Sequence, residues 1–206
     1  MQPFAILYHV HDPMCSWCWG YRKTWDEIQA ALPDTVSVVN VVGGLAPDSD
    51  DPMPLDQQAL VASYWQQVAD RTGASFNFDF WKNCQPRRST YPACRAVLAA
   101  KKQGREQAMI SAIQQAYYLR SLNPSDHSTL ALLATELKLD AELFRADLTS
   151  QHVQLELEEN FALRRSFDVH SFPSLVLMNN GSGTALTIDY NSSEPTLNEI
   201  VRLLTL

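Results

Sequence analysis

The sequence predicts an α/β protein built on one four-stranded mixed sheet, completed by the two ends of the chain and interrupted by a large helical insertion. Three observations predict it. A strand–helix–strand pattern occupies residues 4–42, an almost wholly helical stretch runs from residue 55 to about residue 167, and two strands and a helix follow from residue 174. The implied organisation is a core in two pieces, residues 1–54 and 151–206, around an inserted helical domain at 55–150.

Phe4–Val10 is a short apolar run with the look of a buried strand, and His11-Asp12-Pro13-Met14 breaks it. From Cys15 onward, Trp17, Trp19, Tyr21, Trp25, Ile28 and Leu32 recur at helical spacing until Pro33-Asp34. Val36–Val42 is β-branched and apolar, a second buried strand, and a helical crossover makes it parallel to the first. Gly43–Pro54 reads as a loop. Leu55–Arg71 carries an apolar stripe at Leu60, Tyr64 and Val68 and stops at Gly73. Pro92–Gln103 has Pro near its start and Gly104 after its end, and Arg105–Arg120 closes at Asn123-Pro124. Asp126, Asp140 and Ser150 are placed to cap the next three helices. Ser174–Met178 then pairs with Thr184–Tyr190 across the turn at Asn179–Gly183, and a last helix spans about Pro195–Leu204.

Composition narrows the function classes. A net charge of −7 argues against nucleic acid as a partner, since phosphate binding needs clustered Lys and Arg. No stretch approaches the apolar length of a membrane span, so no membrane partner is expected. The opening Met1–Val10 has no basic n-region, apolar h-region or cleavage site, which predicts a cytoplasmic protein, or a periplasmic one only if a leader was removed. Four cysteines are too few for a disulfide scaffold.

The chemistry concentrates at Cys15-Ser16-Trp17-Cys18. A thiolate is the species that attacks a disulfide. At the first turn of a helix, Cys15 faces unpaired N–H groups and the positive end of the helix dipole, both of which favour an anion. Cys18 lies one turn deeper, less exposed and within bonding distance, which suits a resolving thiol. The competing reading, half of a structural zinc site, needs two more ligands. His9 and His11 are near in sequence, but Cys84 and Cys94 lack zinc spacing, so no metal is expected. Ser171-Phe172-Pro173-Ser174 stands just before the third strand.

Asp12-Pro13-Met14-Cys15-Ser16-Trp17-Cys18-Trp19-Gly20, with Gly43-Gly44-Leu45, Ser89-Thr90-Tyr91-Pro92-Ala93-Cys94-Arg95-Ala96 and Phe172-Pro173-Ser174-Leu175, resembles the DsbA-like family of thioredoxin-fold proteins, in the branch of FrnE-related predicted disulfide isomerases. The resemblance implies a thioredoxin-like core with a helical insertion, thiol–disulfide exchange on proteins, and a peptide groove beside Cys15 and Pro173. It also implies that Pro173 is cis and opposite the cysteines. The Phe172 backbone would then pair with an extended substrate peptide. One departure is Trp17, where the family's periplasmic oxidant has a His that stabilises the thiolate. A less oxidising pair is therefore expected.

The expected function is a protein thiol–disulfide oxidoreductase or isomerase, with Cys15 and Cys18 catalytic and Ser16, Trp17, Phe172 and Pro173 binding substrate. His9, His11 and Asp12 are candidates for a proton shuttle to Cys18. No cofactor is expected beyond the redox disulfide, with glutathione or a thioredoxin-type reductant as co-substrate and protein or peptide thiols and disulfides as partners. The alternative is a glutathione-dependent transferase or isomerase of the same topology acting on a small molecule, against which the second cysteine argues. Cys84 and Cys94 are expected to be inert. Trp17 and Trp19 are expected to line the groove in part, and Tyr21 and Trp25 to be core.

Overall fold

The computed structural model describes residues 5–205. Phe4, the predicted start of the first strand, lies outside the described residues. The elements run β1 Ala5–His11, α1 Ser16–Ala31, β2 Val36–Val42, α2 Leu55–Thr72, α3 Phe80–Asn83, α4 Tyr91–Lys101, α5 Glu106–Tyr118, α6 His127–Glu136, α7 Ala141–Leu148, α8 Gln151–Ser166, β3 Ser174–Asn179, β4 Ser182–Leu186 and α9 Glu194–Leu204. The sheet order is β2-β1-β3-β4, with β1 parallel to β2 and antiparallel to β3, and β3 antiparallel to β4. The expected four-stranded mixed sheet is borne out.

Alternation along the strands sorts the core into two faces. Ala5, Leu7, Val36, Leu175, Leu177 and Leu186 pack against Tyr21, Trp25 and Ile28 of α1 and Ile200 of α9. Val10, Val41 and Val176 pack on the other face with Val169 and Phe172, and with Leu163 of α8. A third cluster joins α4, α5, α6 and α7 to Val42 and Met14, so the helical layer reaches the β2 edge beside the cysteine turn. Trp65 and Tyr118 are fully buried in it, ring centroids 5.1 Å apart. Among the described residues no helix is long and apolar enough to cross a membrane.

Four local expectations are corrected. Helix α2 is not buried along Leu60, Tyr64 and Val68, since Leu60 and Tyr64 are exposed. Its inner face is Trp65 and Val68, with Val61 packed alongside, because the largest apolar side chain sets the phase. Asp126 stands at the N-cap of α6 but makes no capping bond, as its carboxylate pairs with Arg87 at 2.7 Å. Asp140 and Ser150 do cap, accepting from Glu142 N and Leu143 N, and from Val153 N. The β3–β4 turn is two residues, Asn180 and Gly181, both with positive φ, so β4 begins at Ser182 and ends at Leu186. The four-residue helix α3 lies in a stretch for which no helix was predicted.

Candidate active site

β1 ends at His11, and the next four residues turn the chain into α1. Cys15 is the N-cap residue, with extended backbone at φ −83 and ψ 121, and its side chain makes no capping bond. Its N–H donates to Asp12 O at 3.0 Å, and its carbonyl accepts from Trp19 N at 3.0 Å. Cys15 and Cys18 are both free thiols. Their exposures are 6% and 5%, so the expected contrast between an open and a sheltered thiol is absent in this state. Burial pushes the Cys18 thiol well above its ordinary range, and neighbouring Cys15 pushes it further.

Phe172-Pro173 is cis, as expected. The Cys15 thiol donates to the Phe172 carbonyl at 3.6 Å, joining residues 157 apart in the chain. Trp17, Phe172, Pro173, Ser171, Ser174 and Tyr190 line an open groove of about 410 Å³, with Arg71 and Ile188 completing it. Ser16 is half-buried on the first turn of α1. Trp19 does not line the groove: it stacks on Tyr118 at 5.6 Å and donates from Nε1 to Ser75 O. Tyr21 and Trp25 are core, as expected.

Asp12 is the organiser of the turn. One carboxylate oxygen accepts from Met14 N at 2.8 Å; the other accepts from Leu45 N at 2.8 Å, Thr90 Oγ1 at 2.7 Å and the Cys94 thiol at 3.6 Å. Burial pushes this carboxyl up, while the hydrogen bonds hold it down. These bonds account for three of the sequence segments at once: the turn itself, the loop at Gly43-Gly44-Leu45 and the start of α4. Cys94 is fully buried, its thiol pushed well up by burial, and Cys84 donates to Ser121 O at 3.0 Å.

Gly43 touches the site from below. A Cβ there would run into the ring of Phe172, over which the Arg164 guanidinium lies at 5.6 Å from the centroid. Gly43→Ala is therefore expected to displace Phe172 and to cost about 1–3 kcal/mol of stability by overpacking, measured by urea unfolding. An unchanged midpoint would mean that the ring yields freely.

His9 and His11 stack at 4.8 Å on the α1 side of β1, and His9 also stacks on Trp25 at 4.2 Å. Burial lowers His9 to about 4 and His11 well below its ordinary value. Among the described residues neither ring nitrogen of His11 has a hydrogen-bond partner. His9 Nδ1 lies 3.2 Å from Asn40 Oδ1, and Asn40 Nδ2 donates to Glu106 Oε2 at 3.1 Å. Sequence reasoning passed over Asn40 and Glu106, and named Thr90 within a motif without giving it a role. The available signal was Asn40 itself, the one amide in an otherwise β-branched and apolar strand apart from Ser37. Among the described residues no group of three or more His, Cys, Asp or Glu is arranged to hold a metal ion.

A family model described as Thioredoxin matches residues 8–198. The chain belongs to this thioredoxin family. Within the thioredoxin fold its architecture is DsbA-like, as the sequence motifs implied. The chain is 25% identical to a "putative protein disulfide isomerase" from Nitrosomonas europaea, with a TM-score of 0.85 and 98% of each chain covered. It also superposes on the cytosolic disulfide reductase DsbM from Pseudomonas aeruginosa, at 23% identity, TM-score 0.79, and 96% and 99% coverage. A structure of DsbM with GSH gives a TM-score of 0.77 at 21% identity, covering 98% and 100%. By sequence the chain is 26% identical over 178 residues to the ClpXP adapter protein SpxH of Bacillus subtilis, covering 84% of this chain. The chain spans 58% of the length of that curated relative.

Proposed function

We propose that this thioredoxin-family protein is a thiol–disulfide oxidoreductase acting on protein or peptide disulfides, with Cys15 as nucleophile and Cys18 as resolving thiol. The observation that carries the reading is the Cys15 thiol at the α1 N-terminus, 3.6 Å from the carbonyl of Phe172, a residue that lines the groove together with Trp17 and Pro173. Cys15 sulfur attacks one substrate sulfur, the substrate S–S bond breaks, and the second substrate sulfur leaves as a thiolate. Cys18 then attacks Cys15 sulfur, which releases the first substrate sulfur as a second thiolate and leaves the Cys15–Cys18 disulfide. The substrate is reduced by two electrons and the protein is oxidised by two. Glutathione or a thioredoxin-type reductant restores the dithiol. Run in reverse, the same steps oxidise a substrate dithiol. Reduction of one disulfide followed by formation of another isomerises the substrate with no net change of oxidation state.

Ser16, Trp17, Phe172 and Pro173 border the substrate, and Arg71 gives the groove a cation. Residues 55–150 are taken as an insertion into the core, and the cytoplasm as the compartment. Retention of Cys18 beside Cys15 favours disulfide exchange over a transferase, which needs one nucleophile. The test is direct. After oxidation with glutathione disulfide, digestion and mass spectrometry are expected to find Cys15 joined to Cys18, and the reduced protein to precipitate insulin in glutathione buffer. Two cysteines that never join would end the proposal.

A further inference from the structure

His9 sits on β1 one strand residue before Val10, with its ring between Trp25 and His11. It lines a cavity of about 10 Å³ with Cys18, Arg22, Trp25, Gln107, Ile110 and Gln114, a volume at the lower limit of what holds one water. The cavity touches the resolving cysteine and shares no lining residue with the substrate groove. What reaches His9 from the other direction decides what its ring can do there.

The β1–β2 register sets His9 opposite Asn40. The Asn40 side chain is held at both ends, by His9 Nδ1 at 3.2 Å and Glu106 Oε2 at 3.1 Å. A carboxylate only accepts, so the amide must turn its NH₂ to Glu106 and its carbonyl to His9. A carbonyl also only accepts, so Nδ1 of His9 carries the proton. In a neutral imidazole the other nitrogen is then a bare lone pair. Burial keeps the ring neutral, holding it at about 4.

We infer that Asn40 and Glu106 are positioning residues that fix the Nδ1–H tautomer of His9 and so present Nε2 as the proton acceptor for Cys18 in the resolving step. The inference rests on the role of Cys18 proposed above. As Cys18 sulfur bonds to Cys15 sulfur and the substrate thiolate departs, the thiol proton passes to His9 Nε2, directly or through one water in the cavity. The imidazolium so formed returns the proton to solvent once the substrate has left. The groups facing His9 are His11 on its own strand, Cys18, Arg22 and Trp25 from α1, Glu106 and Gln114 from α5, and Asn40 from β2, while its register partner on β3 is the apolar Leu175. Arg22 is held by Ser111 Oγ at 2.8 Å and by Asp26 at 3.7 Å. Among the residues that line the cavity His9 alone brings a basic lone pair, while Asp12, whose charge also acts on Cys18, does not line it.

The test separates capture from resolution in the full-length protein, on a Cys84→Ser background to remove the half-exposed thiol. An aromatic disulfide such as Ellman's reagent loads Cys15 and releases one coloured thiolate; attack by Cys18 releases the second. Asn40→Ala is expected to lower the ratio of resolution to capture about tenfold, the lower end of what loss of the outer partner costs a metal-ligating histidine. His9→Phe is expected to lower it about 100-fold and to make resolution climb with pH as hydroxide takes over the proton. Glu106→Ala should match Asn40→Ala, and Glu106→Gln should recover most of the loss, because an amide oxygen can still accept from Asn40. Asn40→Ala resolving as fast as the parent, or capture and resolution slowing together, overturns the inference. A parent protein that captures and never resolves instead overturns the role of Cys18.

Discussion

Cys15→Ser is expected to lose insulin-reducing turnover by more than about a thousandfold, the scale on which removing a nucleophile acts. A hydroxyl at the α1 N-cap supplies no thiolate, and none of the other three cysteines can stand in: Cys18 and Cys94 are buried with thiols pushed well up, and Cys84 is tied to Ser121 O. Cys18→Ala is expected to fail differently. Capture persists, but the mixed disulfide on Cys15 must wait for an external thiol. A well-oriented intramolecular group acts at effective molarities of about 10⁵ M or more, against millimolar glutathione outside. The variant should therefore accumulate one substrate per chain as a covalent adduct, visible by intact mass, with residual turnover proportional to added glutathione. Normal turnover in Cys18→Ala, independent of added thiol, would favour a one-cysteine transferase. Retained turnover in Cys15→Ser would remove the disulfide chemistry altogether.

What the sequence made legible and what it hid follow one physical division. Cys15, Cys18 and Pro173 announce themselves because their meaning is local: a cysteine pair at a strand-to-helix turn, and a proline at a strand entry. β2 was legible to the residue because a β-branched run between Asp34 and Gly43 has one reading. Helix α2 was legible as a helix, ending at Gly73 in the left-handed region, yet its phase was not. Val61, Trp65 and Val68 compete with Leu60, Tyr64 and Val68 at the same period, and only the aromatic cluster around Trp65 breaks the tie. Asp126, Asp140 and Ser150 carry the same capping signal. Arg87, 39 residues away, takes the first and has no counterpart at the others. The four bonds of Asp12 come from Met14, Leu45, Thr90 and Cys94, three of them beyond any local window. Asn40 was visible as an anomaly, but its meaning depends on Glu106, 66 residues on.

The paired histidines should make the fold sensitive to mild acid. His9 is lowered by burial from 6.5 to about 4, so below pH 6.5 the unfolded chain takes up a proton that the folded chain refuses. The stability this group contributes is complete above pH 6.5 and is lost as pH falls toward 4, in total about 3 kcal/mol for a shift of this size. At pH 5, about 2 kcal/mol of that is gone. His11 is lowered further by burial and by its neighbour His9, and adds loss of the same sign. Asp12 works the other way: its carboxyl is raised, so the folded chain binds the extra proton above 3.8, and stability returns in part as pH falls through that range. Urea midpoints should therefore drop steeply between pH 7 and pH 5. His11→Phe isolates the cause. Both its ring nitrogens are buried without partners among the described residues, a cost of about 1–3 kcal/mol that an apolar ring of similar shape removes. The variant should unfold at the same or a higher urea concentration at pH 7 and lose less between pH 7 and pH 5 than the parent. An equal loss in both proteins would mean that the acid sensitivity lies in surface carboxylates rather than in the two stacked rings.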